Sequence, residues 1–189
     1  QLNNLKDKQA VYYELVGYLL TKNTKVDRRI KYSTENEYNI NRLNKLLNNM
    51  NIPYNIEMQG NLYVITVNKN EELPNCKIKD NYIIFNEDKL EEKDIKALLR
   101  GTFMGSGFMS EPKNKYHLEI NFSNLENFNF TKGLLKIYNI NPKSLNRNGS
   151  ISLYIKEGED ISNFLACIGA SNAMLKFEEI RVIKEARNN

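Results

Sequence analysis

Histidine, cysteine and long apolar runs are scarce in this sequence of 189 residues, and each shortage removes a class of chemistry. The one histidine, His117, has no second histidine to share a metal and no partnered nucleophile with which to build a triad. Strand alternation in "KYHLEI" sets it opposite the core-facing Leu118, which predicts an exposed, structural side chain. The two cysteines, Cys76 and Cys167, lie far apart and match no CxxC or other ligand spacing, so they read as buried, reduced thiols. No apolar run approaches the ~20 residues that span a bilayer. The opening "QLNNLKDKQA" also lacks the order of a secretory signal. The expectation is a cytoplasmic protein without membrane contact, metal or cofactor.

What is present is an ordinary globular composition, 41% apolar and 26% charged, enough for one domain or two small halves sharing a core. The net charge of +4 suits a nucleic-acid partner without requiring one. Along the chain, "KQAVYYELVGYLLTKN" has helical spacing and "RRIKYST" alternates as a half-buried strand. "NEYNINRLNKLLNNMNI" is an amphipathic helix stopped by Pro53, and "YNIEMQGNLYVITVN" is a hairpin turning at Gly60-Asn61. After a connection with a short strand at Tyr82–Phe85, the order returns. "EEKDIKALLRGTFMG" is a helix, "KYHLEINF" a strand, "NLENFNFTKGLLKIYNI" a helix, and "SLNRNGSISLYIK" a hairpin turning at Asn148-Gly149. A further helix, "EDISNFLACIG", follows. "GASNAM" reads as a turn, and the charged C-terminal piece is compatible with a helix.

The order helix, strand, helix, hairpin therefore occurs twice, and two such halves need a shared interface. The glycines supply it. "LVGYLLTKN" (Leu15 to Asn23) and "LRGTFMGSG" (Leu99 to Gly107) each open a half, with Gly17 and Gly101 at the third position and Thr21 and Gly105 four residues on. Residues four apart share a helical face, and small ones let two backbones approach. A phosphate-binding glycine loop would instead follow a strand and carry Lys-Ser/Thr, which "GTFMGSG" does not. Gly107 is expected to help the chain leave the helix.

Paired helices of this kind, each leading into strands, resemble the LAGLIDADG fold of homing endonucleases through their Leu and Gly positions. More specifically, "LLRGTFMGSGFMSEPKNKYHLEI" and "IKEGEDISNFLACIGASNAMLKFEEIRVIKEARN" resemble the WhiA family of bacterial sporulation and cell-division regulators. In that family a LAGLIDADG-like domain precedes a helix-turn-helix. The resemblance covers nearly the whole chain and is weakest from Val26 to Lys96, where the usual first strand looks reduced to "NTKVD". It implies an α+β, pseudo-twofold, two-repeat domain with a mixed or antiparallel saddle sheet. That domain would occupy residues 1–172, in halves of about 8–85 and 86–172, with 173–189 as a helical linker towards the helix-turn-helix.

In nuclease members of the wider family, the penultimate motif residue of each helix is an acid, and the pair holds the metals that activate water. Those positions here are Lys22 and Ser106, which implies a domain that is not an enzyme. Asp27 and Glu111 lie just beyond the motifs but not at the helix ends that the geometry demands.

The resemblance also implies that the strands form a saddle facing double-stranded DNA. By alternation the saddle would carry Arg29, Lys31 and Ser33; Asn55, Glu57 and Gln59; His117, Glu119 and Asn121; and Ser152, Tyr154 and Lys156. Lys25, Arg28, Lys113, Lys115, Lys143 and Arg147 lie in nearby loops. Arg29, Lys31, Lys113, Lys115 and Lys156 are the expected DNA contacts, supporting weak binding by this domain and a transcription-regulating, nucleoid-associated role. Against this stands a protein-interaction scaffold that never touches DNA, whose sign would be exposed apolar residues on the sheet, for instance around Tyr63 and Tyr154. A third reading, a metal-dependent endonuclease, is opposed by Lys22 and Ser106.

Overall fold

A computed structural model describes residues 5–188. The first half runs α1 (Lys8–Leu19), β1 (Thr24–Val26), β2 (Arg29–Thr34), α2 (Glu37–Asn49), β3 (Tyr54–Gln59) and β4 (Leu62–Asn68). A hairpin of β5 (Cys76–Lys79) and β6 (Tyr82–Phe85) follows. The second half repeats the order with α3 (Glu92–Ser106), β7 (Gly107–Met109), β8 (Leu118–Phe122), α4 (Leu125–Ile137), β9 (Lys143–Arg147) and β10 (Ser150–Ile155). Helices α5 (Gly158–Cys167) and α6 (Ser171–Asn188) complete the described chain. Each half carries one four-stranded antiparallel sheet, in the orders β1-β2-β4-β3 and β7-β8-β10-β9. The repeat expected from the sequence is present, with one extra three-residue strand in each half, β1 and β7.

The two halves meet where α1 packs on α3. Helix α1 is buried from Val11 through Leu19, as expected of a helix apolar on nearly all sides. A Cβ on Gly17 would overlap the Leu98 carbonyl and lie 2.7 Å from the Cα of Gly101. One on Gly101 would overlap the Glu14 carbonyl, and one on Gly105 would lie 3.0 Å from Thr21. The glycines therefore serve backbone contact between helices. Gly107 caps α3, as expected, with its N–H on the Phe103 carbonyl. It leaves α3 with extended, not left-handed, backbone (φ −91°, ψ 158°), and a Cβ there would collide with the Phe103 ring.

Both α2 and α4 end in the same way, and not at proline. Asn51 (φ 56°) and Asn139 (φ 57°) take the left-handed conformation. The next residue then closes the helix, with Ile52 N–H on the Leu47 carbonyl and Ile140 N–H on the Leu135 carbonyl. Pro53 and Pro142 follow a stop already made. The hairpin turns fall where expected, with Gly60 and Gly149 at positive φ. The β5–β6 hairpin was half foreseen, since only Tyr82–Phe85 has an apolar strand pattern. The turn between α5 and α6 is shorter than "GASNAM", because α6 already starts at Ser171.

Polar ties reinforce the junction of the halves. Glu14 on α1, 1% exposed, accepts from Arg42 of α2 (2.7 and 2.9 Å) and from Arg100 of α3 (2.6 Å). Burial alone would push the Glu14 carboxyl up, but the two guanidiniums outweigh it and hold the group below its ordinary value. Buried Asn127 of α4 donates to the carbonyls of Leu20 (3.1 Å) and Ile83 (2.8 Å), joining the end of α1 to the hairpin. Helix α6 packs on the second half through buried Phe177, whose ring lies 5.2 Å from that of Tyr116.

Candidate nucleic-acid interface

The pseudo-twofold centre is where paired helices of this geometry could bring two carboxylates together, and here they do not. Lys22 is exposed and Ser106 half-buried at the two motif ends. The surrounding polar atoms satisfy backbone instead. Asn23 Nδ2 (2.9 Å) and Tyr32 Oη (2.7 Å) both donate to the Gly105 carbonyl, and Asn121 Nδ2 donates to that of Ser106 (3.2 Å). The Lys22 N–H donates to the Asn121 carbonyl, linking the halves at 3.0 Å. Asp27 is committed to its own turn, where it accepts from the Arg29 N–H. No cluster of three or more His, Cys, Asp or Glu side chains that could hold a metal occurs among the described residues.

The first sheet has an outer face of cations and amides with one carboxylate, Glu57, which accepts from Gln59 at 3.0 Å. Strand pairing places Arg29 opposite Asn68, Lys31 opposite Thr66, and Thr66 opposite Asn55, all on the face turned away from the helices. Lys31 also stands directly across from Lys25 of β1, and both are exposed. Like charges opposite one another on a sheet repel by roughly 0.2–1 kcal/mol. The short strand that creates this pair falls within "NTKVD", where the resemblance implied a reduced first strand. Arg29, Tyr54, Asn55 and Asn68 line a shallow hollow of about 230 Å³ beside it.

The second sheet has a different outer face. Glu119 on β8 is held by Arg147 of β9 (2.8 Å) and by His117 Nε2 (2.8 Å), and Ser152 donates to Asn121 at 2.5 Å. Burial acts to raise the Glu119 carboxyl, but Arg147 and His117 bring it below its usual range. An unpaired Glu119 would repel a phosphate, whereas the paired one does not. His117 is thus half-buried, not exposed, and its ring stacks on Tyr154 at 5.5 Å with 22° between planes. Lys156 Nζ lies 5.2 Å from the centroid of the same tyrosine. Tyr63 pairs with Met58 and points to the opposite face of its sheet, so it forms no cluster with Tyr154. The exposed apolar side chains on the outer face are Phe108 (54%) and Leu145 (45%).

Of the residues expected to meet DNA, Arg29 and Lys31 share the first sheet, and Lys156 and Lys115 border the second. Lys113 turns away, beside Ile180, Ile183, Lys184 and Arg187 of α6. Cys76 and Cys167 are free thiols, half-buried where full burial was expected. The buried Glu14–Arg42–Arg100 cluster was not anticipated, although a lone carboxylate inside "VYYELVGYLL" is the kind of signal that marks a paired buried charge. No helix among the described residues is long and apolar enough to cross a membrane.

The family model described as the WhiA LAGLIDADG-like domain matches residues 23–76 and 95–187. The chain belongs to the WhiA family. A probable cell division protein WhiA of Clostridium tetani is 34% identical over 179 residues, covering 84% of this chain and 56% of that protein. The WhiA of Ruminiclostridium cellulolyticum is 46% identical over 94 residues, or 50% of this chain and 30% of that one. The chain thus spans only part of the WhiA relatives it matches. Full-length DUF199/WhiA from Thermatoga maritima superposes with a TM-score of 0.80 at 26% identity, over 96% of this chain and 62% of that structure. I-DmoI, solved in complex with DNA and Mn, shares the fold with a TM-score of 0.57 at 13% identity, over 86% of this chain and 97% of that structure. This WhiA domain therefore has the LAGLIDADG homing endonuclease-like fold.

Proposed function

We propose that this domain is a non-cleaving, DNA-contacting module of a WhiA-type transcriptional regulator acting in bacterial cell division and sporulation. The observation that carries the reading is the cation row on the first sheet, three side chains against Asp27 in the adjoining turn and Glu57 further along the face. Lys25, Lys31 and Arg29 share one exposed face, two of them directly opposed, and an anion laid across them removes the repulsion. A phosphate backbone supplies anions at that kind of spacing, and Asn55 and Asn68 beside the row offer amides to it. Lys22 and Ser106 support the absence of cleavage, because a lysine at a motif end repels a divalent cation and a serine replaces a carboxylate poorly. The double-stranded DNA contact is weak, in the ~10⁻⁴–10⁻⁶ M range of non-specific binding at physiological salt. Nucleoid association in the cytoplasm is the corresponding location.

Fluorescence anisotropy of a labelled duplex over a salt series without metal tests the reading. Saturable binding whose logarithm falls steeply with log salt is expected, and Lys31→Glu is expected to flatten that dependence. Absence of binding at low salt overturns it. A parallel plasmid incubation with Mg²⁺ is expected to leave the DNA uncut, and nicking lost in Asp27→Ala or Glu111→Ala would restore the endonuclease reading. A protein-contact scaffold is the second reading, favoured by exposed Phe108 and Leu145, and it becomes the better one if no duplex binds.

A further inference from the structure

The geometry points to a subsite on the second sheet for a single unstacked nucleotide, its base on Phe108 over the His117–Tyr154 floor and its phosphate between Lys115 and Lys156. The inference deepens the DNA reading above and rests on it for the source of the nucleotide. The outer face of this sheet holds a groove of about 560 Å³, open to solvent, whose walls include Phe108, Lys115, His117, Leu145, Tyr154 and Lys156. That volume is within the range of small-molecule sites, which combine apolar walls with a few placed polar groups. It is more than twice the hollow of about 230 Å³ on the first sheet, whose walls carry amides and a hydroxyl beside Arg29 and Tyr54.

Three features select a nucleotide among possible occupants. The walls are aromatic or apolar where a base would lie. Phe108 is on the short edge strand β7, directly opposite Glu119, and Leu145 is on the other edge strand, β9, opposite Ser152. The two exposed side chains thus flank the groove from its two edges. The floor is the stacked His117–Tyr154 pair, held in place because His117 Nε2 is bonded to Glu119. Finally, the charge left over is positive. Glu119 is already neutralised by Arg147 at 2.8 Å, so Lys115 and Lys156 at the rim, both exposed, face no competing free carboxylate among the lining residues. Aromatic faces with flanking cations are how proteins hold unpaired bases, which stack without regard to sequence. A base still paired in a duplex presents only its edge and could not lie on Phe108. The occupant is therefore a nucleotide freed from its stack, either an extrahelical base within DNA or a free mononucleotide.

The test compares a fully paired duplex, the same duplex with one extrahelical thymidine, a (dT)₁₂ strand and free 5′-dTMP. Binding of the DNAs is read by anisotropy, and dTMP by chemical-shift changes of the His117 ring and the Phe108 amide. Tighter binding of the extrahelical duplex and of (dT)₁₂ than of the paired duplex is expected. Phe108→Ala is expected to remove about tenfold of that preference while paired-duplex binding stays within about twofold. Phe108 is 54% exposed, so its truncation leaves the core intact. Lys115→Ala is expected to weaken the unpaired ligands more than the paired one.

Equal affinity for paired and unpaired DNA, or a preference that survives Phe108→Ala, overturns the subsite while leaving duplex binding standing. Shifts at His117 and Phe108 with dTMP, in the absence of any binding to DNA, keep the subsite, assign it to a free nucleotide and reject the DNA reading. No response to any of the four ligands rejects both, and the face is then a protein contact.

Discussion

The two halves share an element order and differ on the surface they turn outward. Where they meet, Gly17 and Gly101 hold equivalent positions and are equally hemmed in by the opposite backbone. The short internal likenesses follow the same rule. Lys45-Leu46-Leu47 precedes the α2 stop at Asn51, and Gly133-Leu134-Leu135 precedes the α4 stop at Asn139. On the outer faces the likeness ends. One sheet carries a cation row and a single carboxylate, Glu57, bonded to Gln59, and the other carries a paired Glu119, a stacked His117–Tyr154 and exposed Phe108 and Leu145. Packing constrains both halves alike because each helix must fit the other. Nothing in the packing constrains the solvent face, so the two outer faces are free to differ.

The largest effects test the shared part. Gly101→Val puts two further carbons against the Glu14 carbonyl and is expected to cost about 4 kcal/mol or more, since backbone and not a flexible side chain stands in the way. Gly17→Val is expected to cost a similar amount in urea denaturation. A variant of either kind with unchanged unfolding would end the close-packing account, and a large inequality between them would break the symmetry.

Glu14→Gln follows, at about 3–5 kcal/mol, because it leaves two buried or half-buried guanidiniums without their carboxylate. Its pH dependence has a definite sign. Glu14 binds its proton less readily folded than unfolded, so its contribution is present above its ordinary value of 4.5 and is lost as pH falls through the lower folded value. Thermal unfolding of the wild type is expected to fall off more steeply below that pH than that of Glu14→Gln. Parallel curves would show that the carboxylate is not what holds the helices.

Smaller effects sharpen the divergence. Lys31→Thr is expected to weaken duplex binding about fivefold or more while raising stability by a few tenths of a kcal/mol, because it removes the repulsion with Lys25. Lys156→Thr is expected to change paired-duplex binding less. Equal losses at the two positions would mean that both sheets meet phosphate in the same way. The least effect belongs to Gly133, which lies on the exposed side of α4 with open space around its missing Cβ. Gly133→Ala is expected to raise the melting temperature slightly, by at most about 1 kcal/mol of stability. The matching position of α2 holds Lys45.

Much of the architecture was legible because periodicity and turn chemistry are local. The alternation of Ile30 and Tyr32, the spacing of Leu43, Leu46 and Leu47, and the Gly60 and Gly149 turns each state their conformation within a few residues. The helix-packing glycines were legible too, because the same spacing occurs twice. The α2 stop was misassigned to Pro53, since an asparagine at positive φ is visible only once its neighbours' hydrogen bonds are known.

The sequence by itself determined the two-repeat α+β plan, the helix faces that join the repeats, and the residue types at Lys22 and Ser106, neither of them an acid. Only the tertiary structure decided which charges face one another. Lys25 meets Lys31, Glu119 meets Arg147, and Glu14 meets Arg42 and Arg100 through contacts between residues distant along the chain or across a strand pair. A charge's effect depends on distance and burial, and neither quantity is carried by its position in the sequence.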